Sequence, residues 1–170
     1  MAIDVTCDSP PVAEIGLPYS HFFPVTGDTP PVVWSIGVGA LPAGLTINAG
    51  TGEVSGTPLG PAGVSPFTVH VADAAPSTDD VECSIEVVAA VGITCDNPPE
   101  GTVGTAYSHF FPATGGVEPY TFFLVAGAFP DGLTLDPATG ELSGTPTVAG
   151  TFAFTVQVED DLGATSEIEC

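Results

Sequence analysis

The sequence is written twice. Residues 7–27 read CDSPPVAEIGLPYSHFFPVTG and residues 95–115 read CDNPPEGTVGTAYSHFFPATG, an offset of 88. The offset holds through LPAGLTINAGTGEVSGTP at 41–58 and FPDGLTLDPATGELSGTP at 129–146. Past that point Phe67 matches Phe154, so the first copy carries one extra residue between Leu59 and Ser65. Surface connections tolerate such insertions. A tandem duplication means that each copy builds its own supersecondary unit. The expected domains are residues 1–89 and residues 90–170.

Each copy reads as all-β. Phe67-Thr-Val-His-Val71 alternates apolar and polar residues, and so does Phe152-Ala-Phe-Thr-Val-Gln-Val158. A period of two is the mark of a half-buried strand. Phe67, Val69 and Val71 are expected inward, as are Phe154, Val156 and Val158. Val81-Glu-Cys-Ser-Ile-Glu-Val87 alternates in the same way, with Glu82 and Glu86 outward. Gly/Pro/Asp clusters divide each copy into about seven short strands. No window sustains a helical period. A two-sheet sandwich is the economical way to bury such strands.

Charge excludes whole classes of function. The 170 residues hold 21 Asp plus Glu and no Lys or Arg, giving a formal charge of −21. Nucleic-acid binding needs cations to displace phosphate counterions, and adhesion to an anionic membrane surface needs them too. Neither nucleic acid nor membrane insertion is expected, since the longest apolar stretch, Val87 to Val91, is far too short to span. No charged-then-apolar leader follows Met1, so no signal peptide is read there. A hydrophobic fraction of 44% argues against disorder despite the charge. No cut site for trypsin exists, and a Lys–Asn isopeptide cross-link is impossible.

At Pro119–Thr165 the sequence resembles a known family. Pro-x-Gly-Leu-x-Leu is followed by Thr-Gly-x-Leu-Ser-Gly-Thr-Pro and then by Gly-Thr-Phe-x-Phe-Thr-Val-x-Val. The first copy carries the same marks, with Trp34 at the place of Phe122. The segment is similar to the Ig-like domains of bacterial and phage surface proteins, which are akin to the cadherin-like domain of dystroglycan. The resemblance covers nearly the whole chain. It implies two tandem Ig-like β-sandwich domains and a role in extracellular architecture at a cell or virion surface. It brings no catalytic residues with it.

The four cysteines, Cys7, Cys83, Cys95 and Cys170, allow three pairings. Duplication favours Cys7 with Cys83 and Cys95 with Cys170, each joining the first strand of a copy to its last. Pairing Cys83 with Cys95 would staple the linker instead. Pairing between molecules would build a head-to-tail chain, and four free thiols would suit a reducing compartment. Cysteines repeated in small β domains point to an oxidising one.

Calcium is the cofactor to consider for carboxylate-rich β repeats. Asp73, Asp79 and Asp80 in the first copy, and Asp160 and Asp161 in the second, are the weak candidates. Glu82, Glu167 and Glu169, with Asp8 and Asp96 after the first Cys of each copy, complete the set. Solvated turns and edge strands account for the same residues, and no D-x-[DN]-x-[DN]-G loop occurs. His21 and His109, in the shared YSHFF, raise a metal or pH-sensing role against an ordinary strand-end histidine. Phe22 and Phe110 lie on the opposite strand face and would form repeated apolar spots if uncovered, with Phe123 a possible addition.

No nucleophile–base motif is present, so no enzyme is expected. The leading reading is a structural or assembly module of a repetitive surface protein, stalk or filament. Its partners would be copies of itself or neighbouring Ig-like domains. The alternative is an adhesin-type binding module for a carbohydrate or protein ligand. The short apolar linker Val88-Ala-Ala-Val-Gly92 suggests a stiff junction. The first copy continues past Cys83 as Ser-Ile-Glu-Val-Val, whereas the second stops at Cys170, so its last strand is expected to be either cut short or left for a partner to complete.

Overall fold

The computed structural model describes residues 2–96 and 98–170. The chain divides into two compact units, Met1–Ala89 and Ala90–Cys170. In chain order the first unit holds β1 (Asp4–Val5), β2 (Ala13–Glu14), β3 (Tyr19–Phe22), β4 (Val25–Thr26) and β5 (Val33–Gly39). It continues with β6 (Leu45–Ile47), β7 (Glu53–Gly56), β8 (Gly63–Ala72) and β9 (Thr78–Val88). One sheet runs β2-β9-β8-β5, the other β3-β7-β6, and β1 pairs with β4. All ladders are antiparallel except β2 with β9, where Ala13 faces Val87 and Glu14 faces Val88.

The core follows from the alternation. Along β8 and β9 every second side chain is buried, from Phe67, Val69 and Val71 to Cys83, Ile85 and Val87. Trp34 on β5, Val54 on β7 and Leu45 on β6 bury with them. Burying side chains of this kind is worth about 1.5–3 kcal/mol each, before entropy opposes it. Thr68 and His70 are half-buried, while Glu82 and Glu86 face solvent, as the pattern requires.

The second unit contains β10 (Gly92–Ile93), β11 (Tyr107–Phe110), β12 (Ala113–Thr114) and β13 (Thr121–Gly127). It ends with β14 (Leu133–Leu135), β15 (Glu141–Gly144), β16 (Phe154–Glu159) and β17 (Thr165–Glu169). Its sheets are β13-β16-β17, β11-β15-β14 and β10-β12. The strand number exceeds seven in each unit because two-residue ladders such as β1–β4 and β10–β12 flank the main sheets. Both units carry a register shift at the same place: Ile36/Gly39 against β8, and Leu124/Ala126 against β16.

One difference between the copies is large. β8 runs from Gly63, with Val64, Ser65 and Pro66 facing Glu86, Ile85 and Ser84. β16 begins only at Phe154, so the strand expected from Phe152 is shorter than the sequence pattern suggests. Its outermost hydrogen bonds are the reciprocal pair between Phe154 and Cys170, at 3.1 and 2.9 Å. Among the described residues segment 151–153 carries no strand pairing.

Candidate functional site

Three sets of side chains recur in both units: the sulfurs, the turn carboxylates and the outward aromatics. Cys7 is bonded to Cys83 and Cys95 to Cys170, with Cα–Cα distances of 5.7 and 6.0 Å. No cysteine is free. The segment just after each unit's first strand is held by backbone bonds, Thr6 N–H to the Pro24 carbonyl and Thr94 N–H to the Pro112 carbonyl. Each bridge therefore ties a unit's opening segment to its closing strand.

The carboxylates act mainly as backbone acceptors. Asp73 accepts from the amides of Thr29, Ala75 and Ser77 at 3.1, 2.9 and 3.0 Å. Asp160, its equivalent, is buried and accepts from Val117, Leu162 and Ala164 at 2.8, 3.0 and 2.9 Å. A carboxylate satisfied by several N–H groups closes a turn and anchors the opposite loop. Asp79 accepts from the Val5 amide at 2.8 Å, and Asp80 lies 2.9 Å from His70 Nδ1. Asp161 contributes its backbone N–H to the Val117 carbonyl at 2.9 Å. Glu167 accepts from Gln157 Nε2 at 2.8 Å across the β16–β17 ladder. The calcium candidates are thus spread among separate hydrogen bonds. Among the described residues no three His, Cys, Asp or Glu side chains are grouped to hold a metal ion.

The Ser77 amide first, then those of Thr29 and Ala75, hold the Asp73 carboxyl below the ordinary carboxylate range, with desolvation opposing. A depressed folded pKa contributes stability above the unfolded pKa that is lost as pH falls through the folded one. The stability gap between the native chain and Asp73→Asn is therefore expected to be constant above about pH 5 and to shrink from about pH 4 downward. Urea midpoints at a series of pH values measure it. A gap that does not change with pH would remove the anchoring role.

The repeated histidines pack rather than converge. His21 meets Phe23 edge-on at 4.9 Å, and His109 meets Phe111 at 5.0 Å. His21 Nε2 also lies 3.3 Å from Asp8. Burial pushes His109 below its usual pKa, against the opposing pull of the Asp96 charge. Burial likewise pushes the Tyr19 hydroxyl up to about 12.

Phe22 and Phe110 are uncovered, each 55% exposed. Beside them Ser20 and Ser108 donate to Glu53 and Glu141 at 2.8 and 2.6 Å. In the second unit Phe123, Leu124 and Val125 on β13 are also exposed. A shallow cleft of about 440 Å³ lies between Phe110, Phe122, Tyr120 and Glu118. The Tyr120 hydroxyl is fixed by donating to the Gly115 carbonyl at 2.5 Å. Tyr120 is half-buried just ahead of β13, where the first copy has Val32.

Paired antiparallel layers, shut from first segment to last strand by a disulfide and repeated in tandem, define an all-β protein of two Ig-like sandwiches. The chain belongs to the Putative Ig domain family (He_PIG), whose model matches residues 3–88 and 89–169. A search of the curated proteins found no match. Among solved structures, an intimin C-terminal fragment, determined with the intimin-binding domain of the translocated intimin receptor, is similar at 17% identity and TM-score 0.50. That match covers 100% of this chain and 64% of the fragment. The N-terminal eight Ig domains of Down syndrome cell adhesion molecule align at 15% identity and TM-score 0.61, over 99% of this chain and 27% of that one. Both likenesses are of fold. The chain spans less than two thirds of either structure.

Proposed function

We propose that this chain is a structural and assembly module of an extracellular surface protein, stalk or filament. The observation that carries the reading is the pair of first-to-last disulfides, one in each unit. Such bonds persist in oxidising surroundings. They suit a part that keeps its shape outside the cell. The −21 charge favours solubility, and the lack of Lys and Arg leaves no site for a trypsin-like protease. The cell adhesion molecule that shares the fold is consistent with this role. Antibodies raised against the chain should label unpermeabilised source cells or particles, and electron microscopy should place the label on an extended surface structure. Labelling that appears only after permeabilisation would reject the reading.

A second reading rests on the uncovered aromatics. Phe110 and Tyr120 flank an open cleft in the second unit, and exposed apolar spots mark contact surfaces. An adhesin-type module for a carbohydrate or protein ligand would use them. A glycan array without hits would remove the carbohydrate form of this alternative.

A further inference from the structure

Phe110 stands directly opposite Glu141 in the β11–β15 ladder, so the exposed ring and the carboxylate share one face of the sheet. The first unit repeats this pair as Phe22 and Glu53. Two further groups occur only in the second unit. At the offset of 88, Glu118 and Tyr120 stand where the first unit has Pro30 and Val32. Both line the cleft of about 440 Å³ beside Phe110, together with buried Phe122 and the exposed Ala138 and Thr139. The Tyr120 hydroxyl donates to the Gly115 carbonyl, which fixes its ring, and Thr139 Oγ1 accepts from the Glu141 amide. Glu118 is exposed, and it is the one charged side chain of the lining.

We propose that this cleft receives an arginine side chain of a partner polypeptide, with its guanidinium laid on the Phe110 ring and paired with Glu118. An aromatic face attracts a cation through its negative quadrupole. A planar guanidinium both stacks on a ring and forks onto a carboxylate. The Phe110 and Tyr120 rings would take the apolar stem and the plane of the cation. Glu118 would take its charge, and Glu141 beside Phe110 adds to the same negative field.

Chemistry chooses the ligand. An anion finds no Lys or Arg anywhere in the chain. A sugar needs several polar groups aimed at its hydroxyls, whereas the Tyr120 hydroxyl proton and Thr139 Oγ1 are already engaged. A cation finds carboxylates beside an exposed ring and no Lys or Arg to compete for them. Opposite charges brought together favour association. A second copy has no guanidinium to offer, so the donor is a different polypeptide. The inference rests on the adhesin-type reading and narrows its ligand. A glycan or an uncharged segment bound in the same cleft would keep that reading and end this one.

The test is a nuclear magnetic resonance titration of the oxidised 170-residue chain. Physiological ionic strength screens attraction to the overall charge beyond about 8 Å. The probe is the peptide Gly-Gly-Arg-Gly-Gly with both ends blocked. It should bind with a millimolar dissociation constant and shift the signals of Phe110, Tyr120 and Ala138 more than those of Phe22. The same peptide with citrulline, similar in shape but uncharged, should bind roughly tenfold more weakly. Glu118→Gln, at an exposed position, should also weaken binding roughly tenfold without moving the melting temperature. Phe110→Ala should weaken it to a similar degree, and Phe22→Ala, the matched change in the first unit, should leave it unaltered. Absence of shifts at tens of millimolar peptide, equal binding of the citrulline peptide, or shifts spread over both units would overturn the proposal. Tighter binding of a Lys version would overturn the choice of a guanidinium.

Discussion

Removing either disulfide should collapse the stability of its own unit and leave the other nearly intact. Each bond closes a loop spanning 76 or 75 residues. Releasing a loop of that size costs about 4 kcal/mol in the chain-entropy model. Units of this length hold about 5–15 kcal/mol in total, and each kcal/mol moves the midpoint by about 4–8 °C. No Lys or Arg exists to compensate with ion pairs, and the described residues show only His21–Asp8 and His70–Asp80. The double variant Cys7→Ala/Cys83→Ala should therefore lower the first unit's transition by about 20 °C. Cys95→Ala/Cys170→Ala should do the same for the second. Calorimetry that resolves the two transitions checks this. A shift below about 5 °C in both variants would show that burial alone maintains the sandwiches.

The second large effect concerns the glycine under the principal aromatic of each unit. A Cβ at Gly52 would lie 2.6–2.9 Å from three ring atoms of Trp34, and one at Gly140 would lie 2.8–3.1 Å from the Phe122 ring. Both glycines also have positive φ, +75° and +69°. The left-handed backbone costs an L-residue about 1–2 kcal/mol. Overpacking a filled core adds about 1–3 kcal/mol. Gly52→Ala and Gly140→Ala should each destabilise by about 3–4 kcal/mol. Gly16→Ala and Gly104→Ala separate the two contributions. They share positive φ but have nothing within 4 Å, so they should cost only the backbone share. Denaturant midpoints decide it. Equal losses at all four positions would mean that the aromatic ring yields freely.

Much of this was legible in the sequence, for reasons that differ by feature. The sandwich showed itself because Phe67–Val71 and Val81–Val87 are solvated on one side and buried on the other, which imposes a period of two. The family resemblance followed from the turn motifs, and the glycine in Thr-Gly-x-Leu-Ser-Gly-Thr-Pro acquires its reason once Phe122 is seen against Gly140. The carboxylates were harder to read. Asp73 and Asp160 look like ligands in a string of letters, and only the fold shows their oxygens taken up by three amides each. A signal was present in Asp160-Asp-Leu-Gly163, a turn in its own right. Least legible was the half-burial of Tyr107 and Leu133. Their identities match Tyr19 and Leu45, which are buried in the first unit, and identical letters at matched positions give no sign of that difference.

The sulfur bridges also determine how the chain answers a pull along its length. Force entering the first unit at Cys7 can leave at Cys83, whose Cα is 5.7 Å away. The sheets between them hang on a closed side loop and bear none of it. An oxidised unit can unravel and still lengthen hardly at all. The same unit after reduction could pay out roughly 250 Å of extended backbone. Tethers made of such links would be nearly inextensible, and their slack would be set by the redox state of their surroundings.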